Sequence, residues 1–405
     1  TGRPAGTFLM SYFTLDTSSL QHWLTNHADL ASRLGGSPAD WTIREVSDGN
    51  LNTVFLVDGS AGSLCCKQAL PHVRVAPDWP MPLERALYEA RYMRATADAV
   101  RPAAPELYFY DDEMFLLVME CLTPHEVLRT ALIRDEAQPG FSAVIGQYVA
   151  RSVHATSWIS QPFEHGSKLL ADFAGNTALT RITVDLILTD PFRPCSRNPS
   201  PETGLLPDVE ALQADKPLHR AVGSLQERFL SARQALLHGD LHTGSIMLHN
   251  NDIRVIDGEF ATMGPIGFDC GLYLGNLALH ACAAPHKNAL ITSEITAFWN
   301  SFTTELRTLL KTGGGDVWAL SDETQRRDLL DNFLLDILRD TAGFCGLEII
   351  RRTIGFAQVA DYTLCATPES RTAARRKALQ TGRTLILKAP SLHTLEDLLS
   401  VLTLQ

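Results

Sequence analysis

His238-Gly239-Asp240-Leu241-His242-Thr243-Gly244-Ser245-Ile246 runs into a short apolar hairpin and leaves it through Asp257-Gly258-Glu259-Phe260. The hairpin is read as Ser245–Leu248, a turn over His249–Asp252, and Ile253–Ile256, since a polar turn divides two β-branched and apolar runs. Asp240 stands before it and Asp257 follows, 17 residues later. Because a hairpin folds back on itself, the two carboxylates are expected to face one place. Taken singly, Asp240 could cap a turn and Asp257-Gly258 could close a hairpin. In this order and spacing they match the needs of phosphoryl transfer. One carboxylate accepts or orients the proton of an attacking hydroxyl, and others hold Mg²⁺ against phosphate oxygens. Asp240 is assigned the first role. Asp257 and Glu259, hard oxygen ligands at i and i+2, are assigned the second.

Upstream, the pattern is that of strands. Ile43–Val46 leads into Ser47-Asp48-Gly49-Asn50, then Thr53–Val57, a turn at Asp58-Gly59-Ser60, and Ser63–Lys67. Leu83–Ala99 has helical character without a breaker, and Leu107–Tyr110 and Met114–Glu120 read as two more strands. Five strands and one helix make a small lobe. After Thr123 the period becomes helical, over Glu126–Arg134, Ser142–Ser157, Val209–Ala235, Ser293–Lys311 and Glu323–Gly343. The expected fold is α+β and protein-kinase-like. It has a small antiparallel sheet in an N-terminal lobe (residues 1–122) and a mainly helical C-terminal lobe (residues 123–405).

That architecture assigns roles to further residues. Asp48, Gly49, Asn50 and Asn52 lie between two strands, where backbone N–H groups with φ > 0 can cover phosphate; a plain hairpin turn is the simpler reading of the loop alone. Lys67 ends the third strand and can reach the α- and β-phosphates. Glu89, in the following helix, can hold Lys67, and Glu84 competes for that place. Met119-Glu120-Cys121-Leu122 ends the last strand, where the backbone of Glu120 and Leu122 can meet adenine. Arg351 and Arg352 follow an apolar run on a helix about 100° apart. Solvent is the default for such a pair, but the flanking apolar residues turn at least one against protein. An arginine aimed at the acidic cleft can bind sugar hydroxyls or the transferring phosphoryl.

Composition narrows the class. With 35 Lys+Arg against 46 Asp+Glu the net charge is -11, which argues against nucleic acid as a partner, because such proteins carry a basic face. No apolar run approaches the ~18 residues of a membrane span. Thr1–Leu9 lacks the pattern of a secretory signal, and Met10 reads as a native start behind a tag or processed leader. Eight cysteines, at 65, 66, 121, 195, 270, 282, 345 and 365, form no C-x-x-C pair. They read as reduced, mostly buried thiols of a cytoplasmic protein.

On these motifs the chain resembles the 5-methylthioribose kinases, members of the kinase-like superfamily that also holds the aminoglycoside and choline kinases. The resemblance rests on Asp48-Gly49-Asn50-Leu51-Asn52, Lys67-Gln68-Ala69-Leu70-Pro71 with Val73-Arg74, and Trp79-Pro80. It continues through the Asp240 and Asp257 segments, Gly264-Pro265-Ile266-Gly267-Phe268-Asp269, and Gly343-Phe344-Cys345-Gly346 with Glu348, Arg351 and Arg352. Ser245 stands where antibiotic kinases of this kind carry Asn, and an Asp-x-Glu metal motif follows, as in the methylthioribose kinase pattern. The resemblance implies ATP and Mg²⁺ as cofactors and phosphorylation of the anomeric 1-hydroxyl of methylthioribose for methionine salvage. It also implies substrate binding by Asp240, Arg351, Arg352 and Trp79, closure of the Trp79 segment, a homodimer, and Asp269 hydrogen-bonded to the catalytic-loop backbone. Cys121 replaces the acid usual after Met-Glu, Val184 stands where an acid is usual, and the stretch after Arg129 lacks the usual polar residues. Two other readings stay open: a kinase of the same fold for an aminoglycoside, choline or another thio-sugar, and a nucleotide-binding scaffold without activity. The second is disfavoured because Lys67, Asp240, Asp257 and Glu259 are all present.

Overall fold

Alternation along the strands decides what the small sheet can carry. The computed structural model describes residues 12–46, 51–74, 76–312 and 314–402. Contacts divide the chain into two units, one running through Arg94 and taking in Pro105–Thr123, the other made of Ala95–Ala104 and Pro124 onward. The first opens with helices α1 (Thr17–Thr25) and α2 (Ala28–Leu34). Asp16 caps α1 by accepting the Ser19 N–H at 2.7 Å, with the Ser19 hydroxyl reaching back, a reciprocal cap that satisfies two orphan donors. Strands β1 (Thr42–Val46), β2 (Asn52–Asp58) and β3 (Ser63–Ala69) follow, then the hairpin β4 (His72–Val73) and β5 (Ala76–Pro80), helix α3 (Arg85–Val100), and strands β6 (Leu107–Asp111) and β7 (Leu116–Glu120). The five-stranded sheet is antiparallel throughout, in the order β1-β2-β3-β7-β6.

Successive side chains of a strand point to opposite faces. Phe55, Val57, Leu64, Cys66, Leu116 and Val118 pack with Leu20, Trp23, Leu24, Leu30 and Leu34 of α1 and α2. Cys65, Ala69, Leu117 and Met119 pack instead with Ala86, Ala90 and Met93 of α3. Lys67 shares the parity of Cys65 and Ala69, so it lies in the layer toward α3. Gln68 has the other parity and is fully buried. Its amide donates to the Phe13 and Met114 carbonyls and accepts the Leu15 N–H, so the chain entering α1 is tied to β3. The expected five strands are present; α1 and α2 lie ahead of Trp41, where the strand pattern starts.

The second unit continues with β8 (Glu126–Val127), α4 (Leu128–Arg134), α5 (Phe141–Thr156), α6 (Phe163–Phe173), α7 (Thr177–Leu186), α8 (Leu206–Ala214) and α9 (Lys216–Ser231). Then come β9 (Ala235–Leu237), β10 (Ile246–His249), β11 (Asp252–Val255), β12 (Thr262–Gly264), α10 (Gly267–Ala283), α11 (Asn288–Leu309), α12 (Glu323–Ile354), α13 (Pro368–Lys388) and α14 (Leu395–Leu402). Two expectations about helices change. The helical pattern over Val209–Ala235 is broken at Asp215, which caps α9 by accepting the Leu218 N–H at 3.0 Å, with Pro217 in the first turn; Ala235 already belongs to β9. The helix from Glu323 runs to Ile354, well past Gly343.

Two strand pairs bring the functional loops together. β9 pairs with β12, and β10 with β11, both antiparallel. The loop between β9 and β10 and the loop between β11 and β12 therefore start and finish beside each other. Behind them, α10 is buried along its whole length. A side chain on Gly271 would come within 2.7 Å of the Cys345 backbone nitrogen and of the Phe344 Cβ. Glycine there lets the backbones of α10 and α12 approach closely, and this brings Asn276 to Glu348. Among the described residues no helix is long and apolar enough to cross a membrane.

Candidate active site

In the first unit, the parity that turns Lys67 toward α3 sets it against Glu89. Its Nζ lies 2.9 Å from Oε1 and 2.7 Å from Oε2, and both side chains are buried. Glu89 rather than Glu84 is thus the partner. Arg85, one turn earlier on α3, is 1% exposed. It donates to the carbonyls of Leu70 (2.9 Å), Pro82 (2.8 Å) and Leu51, and its Nη2 lies 3.4 Å from Asn52 Oδ1. Asn52 is buried at the start of β2, opposite Ala69. Asp48, Gly49 and Asn50 lie outside the described residues. Glu120 closes β7, its N–H donating to the Glu106 carbonyl at 2.9 Å, and Leu122 follows two residues later. Trp79 is half-buried on β5.

In the second unit, Asp269 organises the loop between β9 and β10. Its carboxylate accepts the backbone N–H groups of His238 (2.7 Å) and Gly239 (2.9 Å). Gly239 has φ +83°, and a Cβ there would stand 2.2 Å from the Phe260 carbonyl oxygen, so only glycine lets this loop lie against the one bearing Glu259. The His238 ring joins the same two loops. Nε2 lies 2.8 Å from the Ile256 carbonyl, and Nδ1 accepts the Asp240 N–H at 3.3 Å. Ser245 closes the loop from the other side, accepting the His242 N–H and lying 2.9 Å from the Asp240 carbonyl.

Asp257 takes a left-handed backbone conformation, φ 72°. Glu259 is buried, and a carboxylate oxygen of each lies within 4.8 Å of the other. The Asn176 amide donates to the carbonyls of Glu259 and Ala261, both at 2.9 Å, which fixes the loop from α7. Two hard carboxylates on one pinned loop fit a divalent cation of the Mg²⁺ kind.

Arg351 and Arg352 are both buried, 7% and 6% exposed. Though adjacent on the helix, both turn to one partner. Glu348 precedes them by three and four residues, and on a helix those neighbours flank one position. Arg351 Nη1 lies 3.1 and 3.2 Å from the Glu348 oxygens, and Arg352 Nε lies 2.6 Å from Oε1. Asn276 adds a third donor at 2.9 Å. Arg352 Nη2 also stands 3.8 Å from Asp240 Oδ1. Burial pushes the Asp240 carboxyl up, but His242 and the guanidinium groups of Arg352 and Arg351 outweigh it and hold it well below the usual range. It is an acceptor at any working pH. Burial likewise pushes Glu348 up, and Arg351 and Arg352 bring it below its ordinary value.

Four further residues complete this network and carry no sequence spacing that marks them. Arg129 of α4 donates to Asn276 Oδ1 at 2.8 Å and to Thr243 Oγ1 at 3.1 Å. Asp361 lies 3.8 Å from Arg129 Nε and 2.9 Å from His280 Nδ1. Burial, then Arg352, pulls Arg129 down to about 10, so it stays charged near neutrality. Three arginines (129, 351, 352) thus face three carboxylates (Asp240, Glu348, Asp361), and the buried cluster is neutral in sum when its histidines are. The one hint in the sequence was polarity inside an apolar helix: Asn276 and His280 interrupt the otherwise apolar run of α10.

Comparison with known proteins shows the family. The model of the phosphotransferase enzyme family matches residues 42–289. A methylthioribose kinase of Escherichia coli is 37% identical over 96% of this chain and 97% of its own. One from Pectobacterium carotovorum is 38% identical over 92% of this chain and 95% of its own. Among solved structures, an ethanolamine kinase of Plasmodium vivax matches at 11% identity with a TM-score of 0.42, over 95% of this chain and 91% of that one. The chain belongs to the phosphotransferase enzyme family and, within it, to the methylthioribose kinases.

Proposed function

We propose that the protein transfers the γ-phosphoryl group of ATP to the anomeric 1-hydroxyl of 5-methylthioribose, giving 5-methylthioribose 1-phosphate. The observation that carries the acceptor is the arginine pair beside Asp240. Arg351 Nε is a buried donor without a partner among the described atoms, and leaving such a donor unmet costs about 1–3 kcal/mol. A sugar hydroxyl or the transferring phosphoryl relieves that cost. A polycationic aminoglycoside would instead meet guanidinium groups where it needs carboxylates.

In this reading Asp240 accepts the proton of the 1-hydroxyl as the bond to phosphorus forms and the β–γ bridging bond breaks toward ADP. Arg351 and Arg352 hold the acceptor, with Trp79 covering it. Asp257 and Glu259 hold Mg²⁺, which when bound neutralises charge on the phosphate oxygens. Lys67, oriented by Glu89, takes the α- and β-phosphates, residues 48–52 cover them, and the backbone of Glu120 and Leu122 meets adenine. We take residues 1–122 as the nucleotide-binding lobe and 123–405 as the catalytic lobe of a cytoplasmic homodimer; eight free thiols suit a reducing compartment. Asp240→Asn tests the assignment: turnover falls by at least ~10³-fold while ATP affinity, followed by calorimetry, stays within a factor of about two. Turnover retained in that variant removes Asp240 from the role.

A further inference from the structure

Phosphoryl transfer calls for one carboxylate at the acceptor hydroxyl, yet a second titratable side chain is built into the same loop. His242 Nε2 lies 3.2 Å from Asp240 Oδ2, and the ring is 13% exposed. The other ring nitrogen decides its protonation. Nδ1 accepts the backbone N–H of Gly244 at 2.8 Å and lies 3.3 Å from Arg129 Nη2. A backbone N–H and a guanidinium are donors only, so Nδ1 must present its lone pair to them. The ring proton therefore sits on Nε2 and points at Asp240.

The surroundings enforce this state. A Cβ on Gly244 would come 2.6 Å from His242 Cε1, 2.9 Å from Nδ1 and 3.1 Å from Arg129 Nη1, so the glycine keeps ring and guanidinium in contact. Arg129 is held in turn by Thr243, Asn276 and Asp361. Protonating Nδ1 would set N–H against N–H beside Arg129, with Arg352 near as well. In agreement, burial, then Arg352 and Arg129, pull His242 down to about 4 against the pull of Asp240.

We infer that His242, held by Arg129 in its neutral Nε2–H form, is a positioning residue that fixes the Asp240 carboxylate for the acceptor hydroxyl. Its hydrogen bond occupies Oδ2 and leaves lone pairs of Oδ1, the oxygen nearer Arg352, for the substrate. The inference rests on the reading of Asp240 as the acceptor of the proton, and its test separates the two.

The first measurement needs no variant. In protein carrying ¹⁵N-labelled histidine, two-bond ¹H–¹⁵N spectra show His242 as neutral with Nε2 protonated from pH 7 down to pH 5. An imidazolium or a proton on Nδ1 overturns the inference. The second is kinetic. His242→Ala lowers kcat roughly 10–100-fold, the size expected when a catalytic group drifts by about 1 Å, with KM for ATP unchanged within a factor of about two. His242→Gln, whose amide can reach the Nε2 position as a donor, recovers most of the loss. A kcat for His242→Ala within twofold of the parent, or equal losses in the Ala and Gln variants, refutes the positioning role. If Asp240→Asn is inactive while His242→Ala is not, the present inference fails alone; if Asp240→Asn remains active, the base assignment fails.

Discussion

Replacing Glu348 by glutamine changes one atom and removes one charge, and the network makes the consequence calculable. Glu348 is fully buried and accepts four hydrogen bonds from three donors, two of them guanidinium groups. In Glu348→Gln one acceptor oxygen remains, and the new amide N–H groups face the donors of Arg351 or Arg352. Three of the four bonds end on Oε1, so with the amide oxygen in that place the Arg351 bond to Oε2 is the one lost, worth about 1.5–3 kcal/mol. The buried set then holds three arginines against two carboxylates. Removing one partner of a buried pair costs about 3–5 kcal/mol, so the lost charge outweighs the lost bond. With a urea slope of ~3 kcal/mol/M, the unfolding midpoint falls by roughly 1 M or more, measurable by circular dichroism. Because Arg351 and Arg352 lose their anchor, KM for methylthioribose rises at least about tenfold while KM for ATP moves little. An unchanged midpoint together with an unchanged KM for the sugar would refute the claim that Glu348 holds the arginine pair.

Gly239→Ala should lower both melting temperature and turnover. A left-handed alanine and a collision with the Phe260 carbonyl together cost about 2–5 kcal/mol, and an unaltered melting curve would deny the close approach of the two loops. Glu89→Gln removes the carboxylate that positions Lys67; KM for ATP should rise at least ~10-fold, about 1.4 kcal/mol, with KM for the sugar unaffected, as initial-rate kinetics would show. On acidification, the His242 value of about 4 against an ordinary 6.5 means that the unfolded chain takes up a proton in that window and the folded one does not. Stability is complete above about pH 6.5 and falls as pH drops through 4. Urea midpoints at pH 7 and pH 4.5 test this, and His242→Gln should narrow the difference between them.

Much of the site was legible because its chemistry sits in short local patterns. Asp240, Asp257 and Glu259 flank a hairpin whose polar turn and apolar strands are plain in the residues, and the strands around Lys67 are apolar, β-branched-rich runs set off by glycine-bearing turns. The helices that hold the site were harder to read. All of α10 is buried, so it has no polar face and no period of 3.6 to detect. The last turns of α12 are buried too, from Thr341 to Ile354, and there the charged residues point inward. A solvent-facing default for Arg351 and Arg352 fails because Glu348, one turn earlier, gives both of them a partner. Arg129, Asn276, His280 and Asp361 come together only through tertiary packing, from α4, α10 and the segment after α12. The break at Asp215, by contrast, was available in the sequence, since Asp215-Lys216-Pro217 is a helix-start signal.

Transfer of phosphate to one defined hydroxyl can be watched directly. Purified protein with ATP and Mg²⁺ is offered methylthioribose, ribose, choline and kanamycin in turn, ADP release is followed, and the product is examined by ³¹P NMR. Methylthioribose should give rapid ADP release and a phosphorus resonance coupled to the anomeric proton. Release with kanamycin or choline alone, or a phosphate on any other sugar carbon, would contradict it.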